Sequence, residues 1–252
     1  MLWEARLSYI LRRIFINMKD IDVVVLCGGK GTRLKEVVSD RPKPMSEING
    51  RSFLDILIGY VSGFGFRRFI LCAGYMADFI RQHYSVSKTQ VEIVLSVEDV
   101  PLGTGGAVKH AEKLVQSSSF LVMNGDSFCP VSLSQFLEFH SKNGALVSMV
   151  VTESEDVKDF GLISLDASQR IVRFEEKKEG KKSFINAGIY LLQKEVLSLI
   201  PSNVRYSLEH DLFPTLVDQK FCGYITQEKL IDIGTPERYE IAKRILRHED
   251  TK

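Results

Sequence analysis

The chain has 252 residues, 44% of them hydrophobic, and its 33 basic and 32 acidic residues give a formal net charge of +1. This length and apolar content are enough for one sizeable core, alone or with a smaller lobe. Because basic and acidic residues are interspersed, we expect no surface of the kind that binds nucleic acid. The longest apolar runs fall far short of the roughly 20 residues that cross a bilayer, so we expect no membrane span.

The first 17 residues differ in pattern from those that follow. Apolar residues recur at helical spacing between arginines, namely Leu7, Ile10, Leu11 and Ile14. A basic amphipathic helix of this kind could lie on a membrane or pack on a partner. The alternative is an added or misassigned leader, because Met18 lies just before the first predicted strand. We treat residues 1–17 as an N-terminal leader and residues 18–252 as a single domain.

The cysteines bear on the cellular compartment. Cys27, Cys72, Cys129 and Cys222 show no Cys-x-x-Cys spacing, which predicts free thiols. No apolar segment typical of a secretory signal precedes them. Both features predict a protein of the reducing cytoplasm.

A buried strand followed by a glycine turn opens the domain. Apart from Asp22, residues 22–27 are apolar and rich in valine, which predicts a central strand of a parallel sheet. The strand leads into a turn with three glycines: Gly28, Gly29 and Gly31. Glycines there let consecutive backbone N–H groups converge on an anion, as in phosphate-binding turns. Arg33 and Lys43 add positive charge beside this turn.

Two better-known phosphate loops do not fit this segment. The P-loop requires a Lys-Ser or Lys-Thr pair after its glycines, and residues 28–34 contain none. The dinucleotide-binding fingerprint requires a third glycine where Leu34 stands. By itself, the glycine pattern is also compatible with a simple tight turn.

Predicted strands and helices alternate along the following residues. Strands are expected at 68–73, 91–96, 120–126 and 146–152, and helices at 53–64, 77–84, about 103–115 and 133–143. Such alternation with short connections predicts an α/β fold, a mostly parallel Rossmann-like sheet with helices on both faces. Shorter strands at 162–165 and 171–174 indicate a small antiparallel lobe. Two more helices are expected, at 207–217 and at 235–247, where Thr235 is the N-cap and Pro236 the first helical residue.

Two blocks at short spacing carry a family resemblance. The segment Gly-Gly-Lys-Gly-Thr-Arg-Leu from Gly28, followed by Arg-Pro-Lys-Pro-Met from Arg41, strongly resembles the sugar-1-phosphate nucleotidyltransferases. The resemblance extends over about residues 23–247 and implies their GT-A-like fold. It divides the domain into a nucleotide-binding part at about 20–152, a sugar-binding part at about 153–230 and a closing helix at 235–247. The implied partners are a nucleoside triphosphate and a sugar 1-phosphate, and a homo-oligomer is compatible with it.

The resemblance also implies roles for individual residues. Its nucleotide-binding positions fall on Leu26, Gly28, Gly29, Gly31, Thr32, Arg33, Glu98, Gly103, Thr104 and Gly105. Its sugar-phosphate-binding positions fall on Gly161, Glu176, Lys177, Asn186, Ala187 and Gly188. Its catalytic positions fall on Arg33, Lys43, Asp126 and Asp232, and both aspartates are implied ligands of Mg²⁺. Without the resemblance, Glu98 and Thr104 could instead cap a helix, and the aspartates could stabilise turns.

The implied reaction is attack by a sugar-1-phosphate oxygen on the α-phosphorus of the triphosphate, with release of pyrophosphate. Because that oxygen is already ionised at neutral pH, alignment and charge neutralisation suffice and no general base is required. The sequence most resembles guanylyltransferases acting on mannose or manno-heptose 1-phosphate, with uridylyl- or thymidylyltransferases as the alternative. A carboxylate at Glu98 would match the two adjacent N–H donors of guanine.

Two other classes of function fit the sequence less well. A glycosyltransferase of similar fold typically carries an Asp-x-Asp pair, and Asn124-Gly-Asp126 lacks the first acid. A non-catalytic sugar-nucleotide sensor would not need all four charged residues of the catalytic set, which are present.

Overall fold

The structure is a computed structural model and describes residues 17–87, 89–154, 161–175, 183–217 and 219–246. Its strands are β1 (Asp22–Leu26), β2 (Glu47–Ile48), β3 (Arg51–Ser52), β4 (Arg68–Ala73), β5 (Glu92–Val97), β6 (Ser119–Asn124), β7 (Ser127–Phe128), β8 (Val147–Ser154), β9 (Leu162–Leu165), β10 (Ile171–Glu175), β11 (Ser183–Gln193), β12 (Phe221–Thr226) and β13 (Ile231–Asp232). Its α-helices are α1 (Phe53–Gly63), α2 (Ala77–Val86), α3 (Gly103–His110), α4 (Leu133–Asn143) and α5 (Pro236–Ile245).

A nine-stranded sheet forms the centre of the molecule. Its strands β5, β4, β1 and β6 lie side by side and run parallel. Strand β11 continues the sheet antiparallel to β6, and β8 and then β12 follow on its other side. Strands β9 and β10 form an antiparallel pair beside the first half of β11. The predicted Rossmann-like sheet with a small antiparallel part is confirmed.

Helices cover both faces of this sheet. Successive side chains of a strand point to opposite faces, and in β1 Val23 and Val25 join one hydrophobic core whereas Val24 joins the other. The first core includes residues of α1, α2, α4 and α5, and the second includes residues of α3. In such sheets the loops at the carboxyl ends of the parallel strands form the ligand-binding edge.

Local capping fixes where the helices begin and end. The Ser52 hydroxyl oxygen accepts a hydrogen bond from the Asp55 N–H at 3.0 Å and starts α1. Helix α4 ends at Gly144, whose φ of 53° suits a residue without a side chain. Thr235 caps α5 through the Arg238 N–H, and Pro236 is the first helical residue. The predicted start of α5 is confirmed.

Two helical predictions differ from the structure. The helix expected at about 103–115 ends at His110, and a separate 3₁₀ turn follows at Glu112–Leu114. The helix expected at 207–217 is a π-helical turn at Leu208–Leu212 that continues as a 3₁₀ turn at Phe213–Leu216. Pro214 explains the second difference, because it has no N–H to donate to the carbonyl group four residues earlier.

Strand β11 has an irregularity that the sequence pattern did not predict. Its register with β8 shifts between Asn186 and Tyr190. Before the shift the strand pairs with β9, and after it with β6. We call residues 186–188 the bulge. The bulge lies between the part of β11 that pairs with β9 and the part that pairs with β6. It therefore interrupts the sheet beside the carboxyl end of β6.

The cysteines are distributed through the interior. Cys27, Cys72, Cys129 and Cys222 are buried and free. Burial raises the pKa of Cys72 and of Cys129 to about 12, so both stay protonated at neutral pH. Within the described ranges, the helices are too short or too polar to traverse a bilayer.

Candidate active site

Two adjoining cavities open at the carboxyl ends of the parallel strands. The first, the glycine-turn cavity, has a volume of about 520 Å³ and contains Gly28, Gly29, Gly31, Glu98 and Gly103 in its wall. The second, the bulge cavity, has a volume of about 920 Å³ and contains Gly161, Asn186, Ala187, Gly188 and Asp232 in its wall. Lys43, Thr104, Asn124 and Asp126 line both cavities. Ligands in the two cavities would therefore meet at these four shared residues.

The glycine turn is shaped by two neighbouring side chains. A Cβ atom added at Gly28 would lie 2.8 Å from the Glu98 Oε1, and one added at Gly31 would lie 2.9 Å from the Lys43 Cβ. Gly31 also has a φ of +58°, which disfavours a side chain. Among the residues that the structure describes, nothing lies within 4 Å of the corresponding position at Gly29. Packing therefore requires Gly28 and Gly31, whereas Gly29 leaves open space at the cavity.

The Glu98 carboxylate accepts a backbone hydrogen bond before α3 and also faces the glycine-turn cavity. Its Oε2 accepts a hydrogen bond from the Leu102 N–H at 3.2 Å, just before α3. The side chain also lines the glycine-turn cavity. Burial raises the pKa of Glu98, although the Leu102 N–H and nearby His110 oppose this shift. The second oxygen, Oε1, lies over Gly28 and Gly74.

The glycines that begin α3 are held against another chain segment. A Cβ atom at Gly103 would lie 2.7 Å from the Tyr206 carbonyl oxygen, and one at Gly106 would lie 2.7 Å from that of Val204. Gly103 has a φ of +73°. Gly105 is buried in the same contact and lines neither cavity. The glycines of this turn are thus required by packing of residues 204–206.

Asp126 is positioned by the turn after β6. The Gly125 N–H donates to the Leu26 carbonyl oxygen at 3.0 Å, and a Cβ atom at Gly125 would lie 2.7 Å from that oxygen. Only glycine therefore brings this turn so close to β1. The Lys43 ammonium donates to the Asp126 Oδ2 at 2.6 Å. The Asp126 side chain keeps 40% of its surface exposed, so ligands can reach it.

Asp232 is brought beside Asp126 by strand pairing. Strands β7 and β13 pair antiparallel with Asp232 opposite Ser127, and the Ile233 N–H donates to the Asp126 carbonyl oxygen at 3.1 Å. The Asp232 Oδ1 accepts from the Gly234 N–H at 2.7 Å, and its Oδ2 lies 3.5 Å from the Arg238 guanidinium. Two residues 106 positions apart in the numbering thus meet at one edge of the bulge cavity.

These two carboxylates fit a hard divalent cation. In the described part of the chain, no group of three or more His, Cys, Asp or Glu side chains forms a metal cluster. Mg²⁺ is commonly held by one or two carboxylates, with water and substrate phosphate oxygens completing its coordination. The donor set therefore matches a cation shared with a bound phosphate, rather than a cage formed by the protein alone.

The predicted residues divide unequally between the cavities. Leu26 lines the glycine-turn cavity, whereas Arg33 lines the bulge cavity and approaches Gly234 together with Lys43. Thr32 is exposed and lines neither cavity. The predicted sugar-phosphate ligands Glu176 and Lys177 lie outside the described residues.

Several residues of the site were not predicted from the sequence. They are Asn124, Arg205, Glu209 and Arg238, each of which lines one or both cavities. Asn124 and Arg238 lie close in sequence to the predicted aspartates, so their positions could have been proposed from that spacing. Arg205 precedes the π-helical turn Leu208–Leu212 and Glu209 lies within it, and the hydrogen bond from the Thr104 hydroxyl to Glu209 ties this turn to the site.

The parallel sheet, the glycine turn and the paired carboxylates at the strand ends define a nucleotide-dependent transferase site. The chain belongs to the nucleotidyl transferase family, because the sequence model of that family matches residues 22–249. The family predicted from the sequence is therefore confirmed.

The chain is similar to two guanylyltransferases and to one solved structure with a bound nucleotide. The chain is 34% identical over 219 residues to the D-glycero-alpha-D-manno-heptose 1-phosphate guanylyltransferase of Campylobacter jejuni, covering 87% of this chain and 97% of that protein. It is 35% identical over 224 residues to the mannose-1-phosphate guanylyltransferase of Mycobacterium tuberculosis, covering 87% of this chain and 62% of that protein. The crystal structure of HddC from Yersinia pseudotuberculosis complexed with GMP-PN has a TM-score of 0.79 and 34% identity, and the match covers 90% of this chain and 100% of that one.

Proposed function

We propose that this protein transfers a guanylyl group from GTP to a sugar 1-phosphate, either manno-heptose or mannose 1-phosphate. The products are a GDP-sugar and pyrophosphate. The observation that carries this proposal is the Lys43–Asp126 pair on the wall shared by the two cavities. A triphosphate in one cavity and a sugar 1-phosphate in the other would place their reacting groups at this pair.

The choice of base and sugar is supported by the relatives. The Campylobacter jejuni and Mycobacterium tuberculosis proteins are guanylyltransferases for a heptose 1-phosphate and for mannose 1-phosphate, respectively. The Yersinia pseudotuberculosis structure was obtained with GMP-PN, a guanine nucleotide analogue. Glu98 lies in the glycine-turn cavity, where its carboxylate would accept from the N1–H and the amino group of guanine.

The chemistry requires alignment and charge neutralisation. The attacking phosphate oxygen is ionised at neutral pH, so no side chain has to remove a proton. The ammonium group of Lys43 would stabilise negative charge that develops around the α-phosphate. The backbone N–H groups of the glycine turn would stabilise the departing pyrophosphate, and Arg33 would reach it from the wall of the adjoining bulge cavity.

Asp126 and Asp232 would hold a divalent cation, which we propose is Mg²⁺. When bound, this ion would neutralise charge on the phosphate oxygens. The two carboxylates also position the cationic groups around them, since Lys43 donates to Asp126 and Arg238 lies beside Asp232. From the family resemblance, we further propose that Lys177 contacts the sugar phosphate and Glu176 a sugar hydroxyl.

A pyrophosphate-release assay tests the proposal directly. GTP, UTP, dTTP and ATP are each combined with manno-heptose 1-phosphate, mannose 1-phosphate and glucose 1-phosphate in the presence of Mg²⁺. We expect the highest catalytic efficiency for GTP with one of the first two sugars. A preference for UTP or dTTP with glucose 1-phosphate would instead establish the uridylyl- or thymidylyltransferase alternative. Binding of GDP-mannose without any turnover would favour a sensor.

The substrates of this reaction support a cytoplasmic location. Nucleoside triphosphates and sugar phosphates are cytoplasmic metabolites, and the four free, buried thiols are compatible with a reducing environment. Fractionation of cells that produce the protein checks this proposal.

A further inference from the structure

The carboxylate of Glu209 lines the bulge cavity and is hydrogen-bonded to Thr104, which lines both cavities. Its Oε2 accepts hydrogen bonds from the Thr104 hydroxyl at 2.6 Å and the Ser207 hydroxyl at 2.9 Å. Its Oε1 accepts from the Tyr190 hydroxyl at 3.1 Å. Hydrogen bonds to an ionised acceptor are about twice as strong as those between neutral groups. This carboxylate therefore holds elements that are distant in sequence.

On one side, Glu209 fixes the turn that begins α3. Thr104 lines both cavities, and its hydroxyl oxygen also accepts from the Leu208 N–H at 2.8 Å. The adjoining backbone is paired as well, because the Gly106 N–H donates to the Tyr206 carbonyl oxygen at 2.9 Å. The turn and residues 206–209 consequently form one hydrogen-bonded unit.

On the other side, Glu209 fixes the bulge of β11. The Tyr190 hydroxyl that donates to Glu209 also accepts from the Asn186 Nδ2 at 2.7 Å. The Asn186 Oδ1 in turn accepts from the Gly188 N–H at 2.8 Å. Tyr190 has 0% of its surface exposed, and its ring packs 5.0 Å from that of Phe213. Because the ring is enclosed, its hydroxyl cannot move without moving the bulge.

We propose that Glu209 is a positioning residue that couples the two cavities. It holds the Thr104 turn and the bulge in one relative arrangement, so that a ligand ordering one wall also orders the other. This inference rests on the proposed function, in which nucleotide and sugar phosphate occupy adjoining cavities. Because transfer depends on alignment of the two phosphates, a loosened link lowers turnover more than it lowers the affinity for either substrate alone.

The experiment measures how each ligand changes the affinity of the other. Dissociation constants are measured by calorimetry for the α,β-methylene analogue of GTP, with and without a saturating concentration of the sugar 1-phosphate that the enzyme turns over. In the wild-type protein we expect the sugar phosphate to tighten nucleotide binding by about fivefold or more, a typical coupling between linked sites. In Glu209→Gln we expect this factor to fall close to one and kcat to fall about tenfold, with the dissociation constant of each ligand measured alone changed less than about threefold.

A matched pair of variants separates coupling from stability. Thr104→Ser keeps the hydroxyl that donates to Glu209 and should retain the coupling, whereas Thr104→Val keeps the shape and should lose it. Glu195→Gln serves as the control, because Glu195 is exposed and lines neither cavity. Melting temperatures identify any variant that fails to fold. If Glu209→Gln does not fold, the comparison of Thr104→Ser with Thr104→Val tests the coupling.

The possible results are distinct. Equal coupling in wild type, Glu209→Gln and Thr104→Val, with turnover in the wild type, overturns the inference and leaves the proposed function standing. Wild-type turnover without any coupling between the ligands also overturns it. No turnover with any pair of substrates overturns both. Loss of coupling in Glu209→Gln and Thr104→Val, with retention in Thr104→Ser, supports it.

Discussion

Lys43 and Asp126 show how much of the site depends on single charged residues. Their ammonium and carboxylate groups lie 2.6 Å apart, with 13% and 40% of the respective side-chain surfaces exposed. The Lys43 side chain is largely buried, but the Asp126 carboxylate is accessible to solvent, which screens the pair and reduces its contribution to folding. The pair is therefore better explained by a role in binding and neutralising phosphate than by a role in stability.

The first prediction concerns the two aspartates. Asp126→Asn and Asp232→Asn should each lower kcat about 100-fold or more at ordinary Mg²⁺ concentration, because an amide cannot supply the negative charge that holds the cation. The asparagine oxygen can still accept from the Gly234 N–H in the second variant, so the melting temperature should change little. Steady-state assays over a Mg²⁺ titration check the result.

Asp78→Asn is the matched control for these variants. Asp78 is exposed on α2 and pairs with Arg81, away from both cavities. The activity of Asp78→Asn should equal that of the wild type. Near wild-type turnover in either site variant would show that the residue does not hold the cation.

A second prediction concerns the base. If Glu98 accepts from guanine, Glu98→Gln should lower catalytic efficiency with GTP by about 10- to 100-fold, equivalent to about 1–3 kcal/mol, and should affect UTP much less. Measured efficiencies with both nucleotides give the ratio directly, and the adjacent, exposed Asp99→Asn is the control. An unchanged ratio would limit Glu98 to its hydrogen bond with the Leu102 N–H.

The family resemblance made part of this site predictable. It selected Asp126, an acid after a glycine at a strand end, and Asp232, an acid near Gly234 before a capped helix, where residue types alone also allowed turn-stabilising roles. No comparable pattern pointed to Glu209, because its contacts include hydroxyl groups 19 and 105 residues away in the chain. Such long-range contacts have no local periodicity that could be recognised.

At the scale of elements, the bulge of β11 determines the shape of the second cavity. Gly188 has a φ of +72°, and a Cβ atom there would lie 2.6 Å from the Asn124 Nδ2 and 2.9 Å from the Ser127 Oγ. The bulge thus lies directly against the turn that carries Asp126. The sequence analysis predicted no strand at residues 183–193, and a change of pairing partner within one strand depends on its neighbours in the sheet.

The third prediction follows from this close contact. Gly188→Ala should raise the KM for the sugar 1-phosphate about tenfold or more, because the added methyl group displaces the bulge from Asn124. The KM for the nucleotide should change much less. Gly63→Ala is the control, since nothing lies within 4 Å of the added group at that position. Equal effects on both substrates would show that the bulge does not define a separate sugar-phosphate cavity.

At the scale of the whole molecule, a buried histidine links three elements of the fold. His140 of α4 has 3% of its surface exposed. Its Nδ1 lies 2.8 Å from the Ser148 Oγ of β8, and its Nε2 lies 3.0 Å from the Gln193 Nε2 of β11. Because an amide nitrogen only donates, Nε2 accepts and Nδ1 carries the proton in the neutral ring. Burial lowers the pKa of His140 from 6.5 to about 4.

The fourth prediction is a loss of stability in mild acid. Below pH 6.5 the unfolded chain binds a proton at His140, whereas the folded protein does so only near pH 4. The free energy of unfolding should therefore fall as the pH falls from about 6.5 to about 4, by at most about 3 kcal/mol from this residue. Above pH 6.5 the contribution of His140 is constant.

Urea unfolding at a series of pH values measures this dependence. Carboxylates titrate in the lower part of the same range, so the informative quantity is the difference between wild type and His140→Gln. Glutamine stays neutral, and its variant should show a smaller loss between pH 6.5 and 4. Parallel curves for the two proteins would show that His140 has the same pKa in both folded and unfolded states.

The parallel half of the sheet was predictable because its strands are apolar on both faces and alternate with amphipathic helices. The segment after β11 was less predictable, because the helix expected there is replaced by π-helical and 3₁₀ turns around Pro214. The shape of the bulge cavity depends on this segment as well as on β11. It could therefore not be predicted before the packing of the two was known.

The division of the site into two cavities with four shared residues has a consequence for how specificity can evolve. Glu98, Pro101 and Arg205 line only the cavity proposed for the nucleotide, whereas Ile163, Phe174 and Leu230 line only the cavity proposed for the sugar phosphate. Substitutions in the second group can therefore change the accepted sugar while the base preference is inherited unchanged. Substitutions of Lys43 or Asp126 would impair every pair of substrates alike, so these positions are expected to resist such diversification.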